Sequence, residues 1–585
     1  MTKRFRADIK WLGGFYRPLK TRLILIAGQS VAVAAISAVI PYVFIGIIDG
    51  LHTNLSLPFL LRSVAILLGL GVLNFLTSVT NATRRAKTNI ELEWRFRQSA
   101  FSRLIKLDQR FFSTYRIGDM VTRLTDDVGR KLSWFACSGL FRAWESTLRV
   151  CFCLIAMIII NPWLTLAAFI PFPLQILIYI KTGQVLDARF KHLQKLISRV
   201  NETIETCFSG IKIVQAYSRE RHQAELFALV AEERARAEVN AEKAHIFVHS
   251  LYGYFWQLTQ VFVLLAGGWM VIGDRITVGE FVAFNYYVSF LVWPMFDIGG
   301  LLVGYRRAAV SIKRLQELEG WETKILTPEQ PTAIAAGGGR VRFENVSFRL
   351  EDKQILDRIG FDCGAARMIG VVGEVGSGKS TLLNLICRFF DPDEGSVLLD
   401  GVPLPQWPLD RLRHTIGYVS QEPLLFTDSV RNNVRFGRDW IDDHTIEWAA
   451  RLARLDEEVK HFRDGYDTAI GLRGMTVSGG QKQRISIARA LAGKPDLLLL
   501  DDATAHLDAE TEMALWDCVF GELPEMRVFF VSHRTATLER ADLILVLSRG
   551  CLVEHGTHAA LMAARGEYYR IYSRRRLQEQ VNTLK

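Results

Sequence analysis

Cysteine is sparse and scattered in this 585-residue chain. The eight residues at 137, 151, 153, 207, 363, 387, 518 and 551 form no Cys-x-x-Cys pair. That argues against a disulfide framework or a thiolate metal site, and for free thiols in a reducing compartment. Proline is scarce at 16, and the 44 glycines do not mark a collagen-like or low-complexity chain. Charged residues are only 23% against 49% apolar, at a mean hydropathy of +0.14, too hydrophobic for disorder. No internal repeat is evident, and the length calls for two to four domains. An acidic excess is missing too: 71 Lys and Arg against 61 Asp and Glu leave +10.

Long apolar runs are present, and only in the first half. Leu23 to Ile48 (26 residues), Ser63 to Thr83 (21), Val150 to Ile180 (31) and Ala244 to Gly273 (30) carry no Lys, Arg, Asp or Glu, and Phe281 to Tyr305 is interrupted only by Asp297. About 20 apolar residues cross a bilayer as helix, so this half reads as a membrane domain. A soluble nucleic-acid binder is thereby excluded. Residues 1–20 hold Lys3, Arg4, Arg6, Lys10, Arg17 and Lys20 among aromatics. They read as an amphipathic segment on the inner surface rather than a cleaved leader.

Lysine and arginine set the expected topology. Leu51 to Leu61 has neither, whereas 84–149 holds 14 and 181–243 holds 11. With both basic segments inside, the run between them crosses twice and turns at Asn161-Pro162-Trp163. Two crossings need about 40 residues, so the third helix is expected to begin near Phe141. That places Arg142, Glu145 and Arg149 at the inner boundary, on one helix face, with Asp297 at similar depth. Such residues either pair with one another or line a charged cavity. Tyr252, Tyr254, Phe255 and Trp256 line a pocket or serve as packing aromatics. The last pair of spans turns between Gly273 and Glu280. The sum is six spans over 21–320, with both termini cytoplasmic, helices running on past the membrane, and a Pro- and Gly-marked linker at 321–340.

The remaining 341–585 reads as a soluble α/β domain. A buried strand, Ile369-Gly370-Val371-Val372, runs into Gly373-Glu374-Val375-Gly376-Ser377-Gly378-Lys379-Ser380 and then a helix from Thr381. This is a P-loop in its strand–loop–helix setting: backbone N–H groups curl around phosphate, Lys379 adds a cation, and Ser380 offers a hydroxyl to Mg²⁺. Leu497 to Leu500 deliver Asp501, a second Mg²⁺ oxygen, to a strand's C-terminal end. Ser478-Gly479-Gly480-Gln481 opens another helix with N–H groups toward an anion. A second anion site makes sense only if it closes over a nucleotide held by another subunit.

Together with a His after the strand Val528 to Val531, these segments make the chain resemble an ABC transporter half-subunit of exporter type. The nearest flavour is the bacterial multidrug resistance-like group that forms heterodimers. Arg116-Ile117-Gly118-Asp119 and Thr125-Asp126-Asp127 resemble the first intracellular loop of such exporters. The resemblance implies a six-span membrane α-helical domain fused to a P-loop nucleotide-binding domain, ATP and Mg²⁺ as cofactors, and inner-membrane location. It further implies roles for Gln421 at Mg²⁺ or water, His533 at the γ-phosphate, and Asp508 (after Ala505-His506-Leu507) between two nucleotide sites.

Three positions depart from the family pattern. Asp502 stands where a water-polarising Glu is usual, one methylene short, which implies a degenerate ATP site and a different half-transporter as partner. Leu350 stands where an aromatic usually stacks on adenine, a role that a shifted Phe348 or another group could take. Leu472 replaces an acidic residue before Arg473-Gly474. The leading expectation is half of an ATP-driven exporter of amphipathic drugs or lipids. A homodimeric lipid flippase, a siderophore importer and an ATP-binding regulatory or channel-like subunit are the alternatives.

Overall fold

The computed structural model describes residues 2–53, 56–170, 172–328, 337–351, 353–471, 477–505 and 507–583. The chain divides into two compact units, one of residues 1–105 and 117–320, the other of 106–116 and 321–585.

The first unit is all helix. Leu57–Leu104 has 48 residues and Glu220–Ile272 has 53. At 1.5 Å per residue these reach about 70–80 Å, more than twice a hydrocarbon core, so helices do continue far beyond a bilayer. Three helical stretches among the described residues are long and apolar enough to cross a membrane: Lys3–Leu51, Leu57–Leu104 and Ile117–Ile160. Trp256–Ile272 is a shorter apolar stretch. Most side chains from 171 to 184, and those of Tyr252 and Phe255, lie outside the described residues.

The expected turns are built from side-chain caps. Leu140–Ile160 stops at Asn161, whose Oδ1 accepts from the amides of Trp163 and Leu164 and so starts Pro162–Phe169. Thr277 and Glu280 form a capping box that opens Val278–Phe290. Asp49 locks the same turn, accepting from Thr277 Oγ1 at 2.6 Å and the Gly279 amide at 2.9 Å. A side chain at Gly279 would meet the Ile45 carbonyl at 2.6 Å, so the close approach requires glycine.

Several ionisable residues in this unit are paired. Glu145, 8% exposed, accepts from Arg149 at 2.6 Å, Arg85 at 3.0 Å and Asn81 at 3.3 Å. Asp297 accepts from Ser146 at 2.8 Å. Glu145→Ala would leave two partly buried guanidinium groups without their carboxylate, a loss of about 3–5 kcal/mol by analogy with other buried pairs. The expected result is a clearly lowered unfolding midpoint of the detergent-purified protein, with Glu145→Gln falling between, read by fluorescence-detected melting.

A second charged knot lies in the π-helical turns Arg123–Leu132. Buried Arg123 reaches Asp119 at 2.9 Å and the Arg314 carbonyl at 2.8 Å, and buried Asp127 takes Lys131 at 2.7 Å and Arg314 at 2.9 Å. Thus the Thr125-Asp126-Asp127 segment is tied to the helix Val292–Gly320.

The second unit holds two sheets. β1 (Val341–Leu350), β2 (Lys353–Asp362), β4 (Glu394–Leu399) and β5 (Val402–Pro403) form an antiparallel sheet in the order β2-β1-β4-β5. β3 (Met368–Gly373), β6 (Ile416–Val419), β7 (Leu497–Asp501), β8 (Arg527–Val531), β9 (Leu543–Ser548) and β10 (Cys551–Gly556) form the other, ordered β10-β9-β3-β8-β7-β6. All its neighbours are parallel except β9 and β10. β3 and β7 are buried along their whole length, as their unbroken apolar sequence predicts. Segment 106–116 belongs to this unit: Asp108 accepts from Trp321 Nε1 at 3.2 Å and the Lys324 amide at 3.1 Å, and Phe111 packs edge-on against Trp321.

One of the alternatives left open for Leu350 is closed here. Phe348 is 1% exposed and packs against Phe390 inside the core beside β1, so it is not free to stack on a base. β-bulges between Phe343, Val346 and Phe348 keep all three side chains inward despite uneven spacing. Leu472, Arg473, Gly474 and His506 lie outside the described residues.

Candidate functional site

Parallel pairing gathers the site. Asp501 is opposite Val531, so the residues that follow β7 and β8 emerge together, next to the loop that leaves β3. Gln421 comes two residues after β6, whose Val419 is opposite Leu500. Four short segments distant in sequence thus converge on one sheet end.

In the P-loop, Gly378 holds φ +100°, and a Cβ there would lie 2.6 Å from Leu356. Lys379–Ile386 then begins its helix. Gly378→Ala is expected to weaken ATP binding about tenfold or more, since backbone strain of this kind costs ~1–3 kcal/mol; titration with a fluorescent ATP analogue would measure it. Gly373 is equally crowded, its would-be Cβ 2.2 Å from the Leu547 carbonyl. Glu374 and Val375 form the exposed lip with Gly376. Lys379 Nζ donates to the carbonyls of Gly373 at 3.0 Å and Glu374 at 2.7 Å. Burial, then Arg575, pulls the Lys379 ammonium below its ordinary pKa.

Ser380 hydrogen-bonds Asp501, whose carboxyl is pushed up by burial against the opposing pull of Ser380 and Lys379. The Ser377 hydroxyl is buried with no hydrogen-bond partner among the described residues. A buried unpaired hydroxyl in a glycine cradle, next to a Ser–Asp oxygen pair, fits a phosphate with a hard divalent cation.

Asp502 takes a left-handed backbone, φ +52°, with its amide donating to the Val531 carbonyl at 3.1 Å. Its Oδ2 lies 4.0 Å from His533 Nε2. Burial first, then Arg575 and Lys379, pull the His533 imidazole down to about 4, so it is neutral at physiological pH.

Ser478 and Gln481 form a full capping box at the start of Gly479–Leu491: Ser478 Oγ accepts from the Gln481 amide at 3.2 Å, and Gln481 Oε1 from the Ser478 amide at 2.9 Å. With the Ser478 and Gln481 amides taken up by the box, the N–H groups without a hydrogen-bond partner at this helix start, among the described residues, belong to Gly479 and Gly480, a narrower set than Ser-Gly-Gly suggested. Asp508 caps Ala509–Glu522 by accepting from Thr511 at 2.8 Å.

Sequence reasoning missed the supports. Arg534 pairs with buried Glu512 at 3.0 Å and donates to the Leu507 carbonyl, which ties the segment after β8 to that after β7. The His after β8 was visible, but nothing in the sequence named Glu512 as the partner of Arg534 beside it.

A P-loop whose glycines, lysine and strand-end carboxylate sit on a parallel sheet defines an ATP-binding domain, here on the same polypeptide as a helical region that crosses a membrane more than once. The ABC transporter model matches residues 356–505, and the ABC transporter transmembrane region model matches 23–295. The chain belongs to the ABC transporter family. It is 33% identical over 489 residues to the probable multidrug resistance ABC transporter ATP-binding/permease protein YheI of Bacillus subtilis, covering 82% of each chain. It is 28% identical over 577 residues to the multidrug resistance-like ATP-binding protein MdlA of Escherichia coli, covering 98% of this chain and 97% of the other. The solved structure of a bacterial Atm1-family ABC exporter with ATP bound shares its fold, with TM-score 0.79 at 24% identity over 95% of this chain and 98% of that one. One membrane region fused to one ATP-binding domain is the half-transporter architecture, and its ATPase is coupled to transport.

Proposed function

We propose that this chain is half of an ATP-driven exporter that moves amphipathic drugs or lipids across the inner membrane. Its partner is a different half-transporter, and its own ATP site grips nucleotide more than it cuts it. The observation that carries the reading is Asp502: a carboxylate one methylene short of glutamate, immediately after the strand-end Asp501, opposite a neutral His533.

In this reading residues 21–320 make six spans, 321–340 a linker and 341–585 the ATP-binding domain, with both termini cytoplasmic. Gly373 to Thr381 bind the phosphates, and Ser380, Gln421 and Asp501 hold Mg²⁺, which supplies charge neutralisation when bound. Ser478 to Gln481, with Asp508, reach the partner's nucleotide. Burial of Asp501 among oxygen donors and the unpaired Ser377 hydroxyl support these roles. Multidrug names among the relatives support the cargo class.

Purification of the full-length tagged chain from its native membrane tests the pairing. A second, distinct half-transporter in stoichiometric amount is expected. A symmetric pair of this chain alone that hydrolyses ATP at full speed would overturn it.

A further inference from the structure

The C-terminal helix Glu567–Thr583 carries Tyr572, Arg575 and Glu579 at i, i+3 and i+7, one face of a helix. All three grip the segment that follows β8. Glu579 accepts from the Thr535 amide at 3.2 Å and from its hydroxyl at 2.5 Å. Tyr572 donates to Glu539. Between them, Arg575 Nη1 donates to the Ser532 carbonyl at 3.1 Å, one residue before His533. In the run Arg574-Arg575-Arg576 the outer two are exposed and only the middle one is turned inward.

This guanidinium has no carboxylate within ion-pair distance among the described residues, although Asp502 and Glu579 attract it from further off. Its charge opposes the charged forms of Lys379 and His533. A partly buried cation tied one residue before His533, whose charge is felt by both His533 and Lys379, gains most when an anion arrives near them.

We propose that Arg575, on a helix anchored by Glu579 and Tyr572, contacts the terminal phosphate of ATP, so that the C-terminal helix reads whether the bound nucleotide is a tri- or a diphosphate. This rests on the second unit binding ATP.

The test is equilibrium binding of ATP and of ADP, each with Mg²⁺, to the full-length protein in lipid nanodiscs. Arg575→Ala should weaken ATP about tenfold while ADP stays within about twofold, the size of one charge-assisted contact. Arg575→Lys should recover much of the loss, and Glu579→Ala should shift ATP in the same direction by less. Equal losses for both nucleotides, or no loss for either, would overturn the proposal and leave Arg575 a purely structural tie. Should Arg575→Ala not fold, Arg575→Lys against Arg575→Gln gives the same ATP-to-ADP comparison. A wild-type protein that binds neither nucleotide would instead sink the ATP site itself.

Discussion

Lys379→Ala should abolish measurable ATP turnover and weaken ATP binding roughly 100-fold, with little change in the unfolding midpoint. The ammonium is partly desolvated, is opposed by the charge of Arg575, and donates to two loop carbonyls at 2.7 and 3.0 Å. Burial disfavours its charged form, so an arriving phosphate replaces weak neutral acceptors with a strong anionic one. The hundredfold corresponds to ~2.7 kcal/mol, within the range for hydrogen bonds to charged groups. Fold should survive because Leu382, Leu383, Leu385 and Ile386 anchor the helix Lys379–Ile386 without the lysine. Fluorescent-nucleotide titration beside thermal melting separates the two effects. Retained ATP binding at near wild-type strength would show that another group carries the phosphates.

What could be read from the sequence was whatever is contiguous. Strand, loop and helix of the phosphate site occupy fewer than twenty consecutive residues, and each piece has its own pattern: four apolar residues, spaced glycines, then leucines at helical spacing. β7 was equally plain, because four leucines before an aspartate have few other readings. The turns at Asn161-Pro162-Trp163 and between Gly273 and Glu280 were legible in the first unit, though not the caps that build them. Long-range partners stayed hidden. Arg575 reaches Ser532 across 43 residues from a polar helix with no apolar stripe to mark its inner face. Glu145, Arg85 and Asn81 meet across 60 or more positions, so one helix face was visible but its partners were not. Whether Phe348 could reach a base stayed open because a regular strand would have allowed a different orientation; bulges in β1 send it into the core. Ser478-x-x-Gln481 was legible as a capping box and was read only as an anion site.

Asp502→Glu should speed conversion of bound ATP to ADP on this chain by about 100-fold. The Asp502 backbone is pinned by its amide bond to Val531 and by the β7–β8 pairing beneath it. It cannot slide forward to make up a missing methylene, roughly 1.5 Å. A general base must come within about 3 Å of the water it activates, and a 1 Å error can cost a hundredfold. Neutral His533 at 4.0 Å can accept or donate a hydrogen bond but lends Asp502 no charge. Glutamate tolerates φ +52° less well than aspartate, so a slightly lower unfolding midpoint should accompany the gain. Radiolabelled azido-ATP marks each chain of a complex separately, and the ADP-to-ATP ratio recovered from this chain is the readout. Asp502→Asn supplies the opposing arm. If the short carboxylate is already the working base, Asn collapses turnover and Glu adds nothing, and the gripping site is refuted; if it is not, Asn changes the ratio little while Glu raises it.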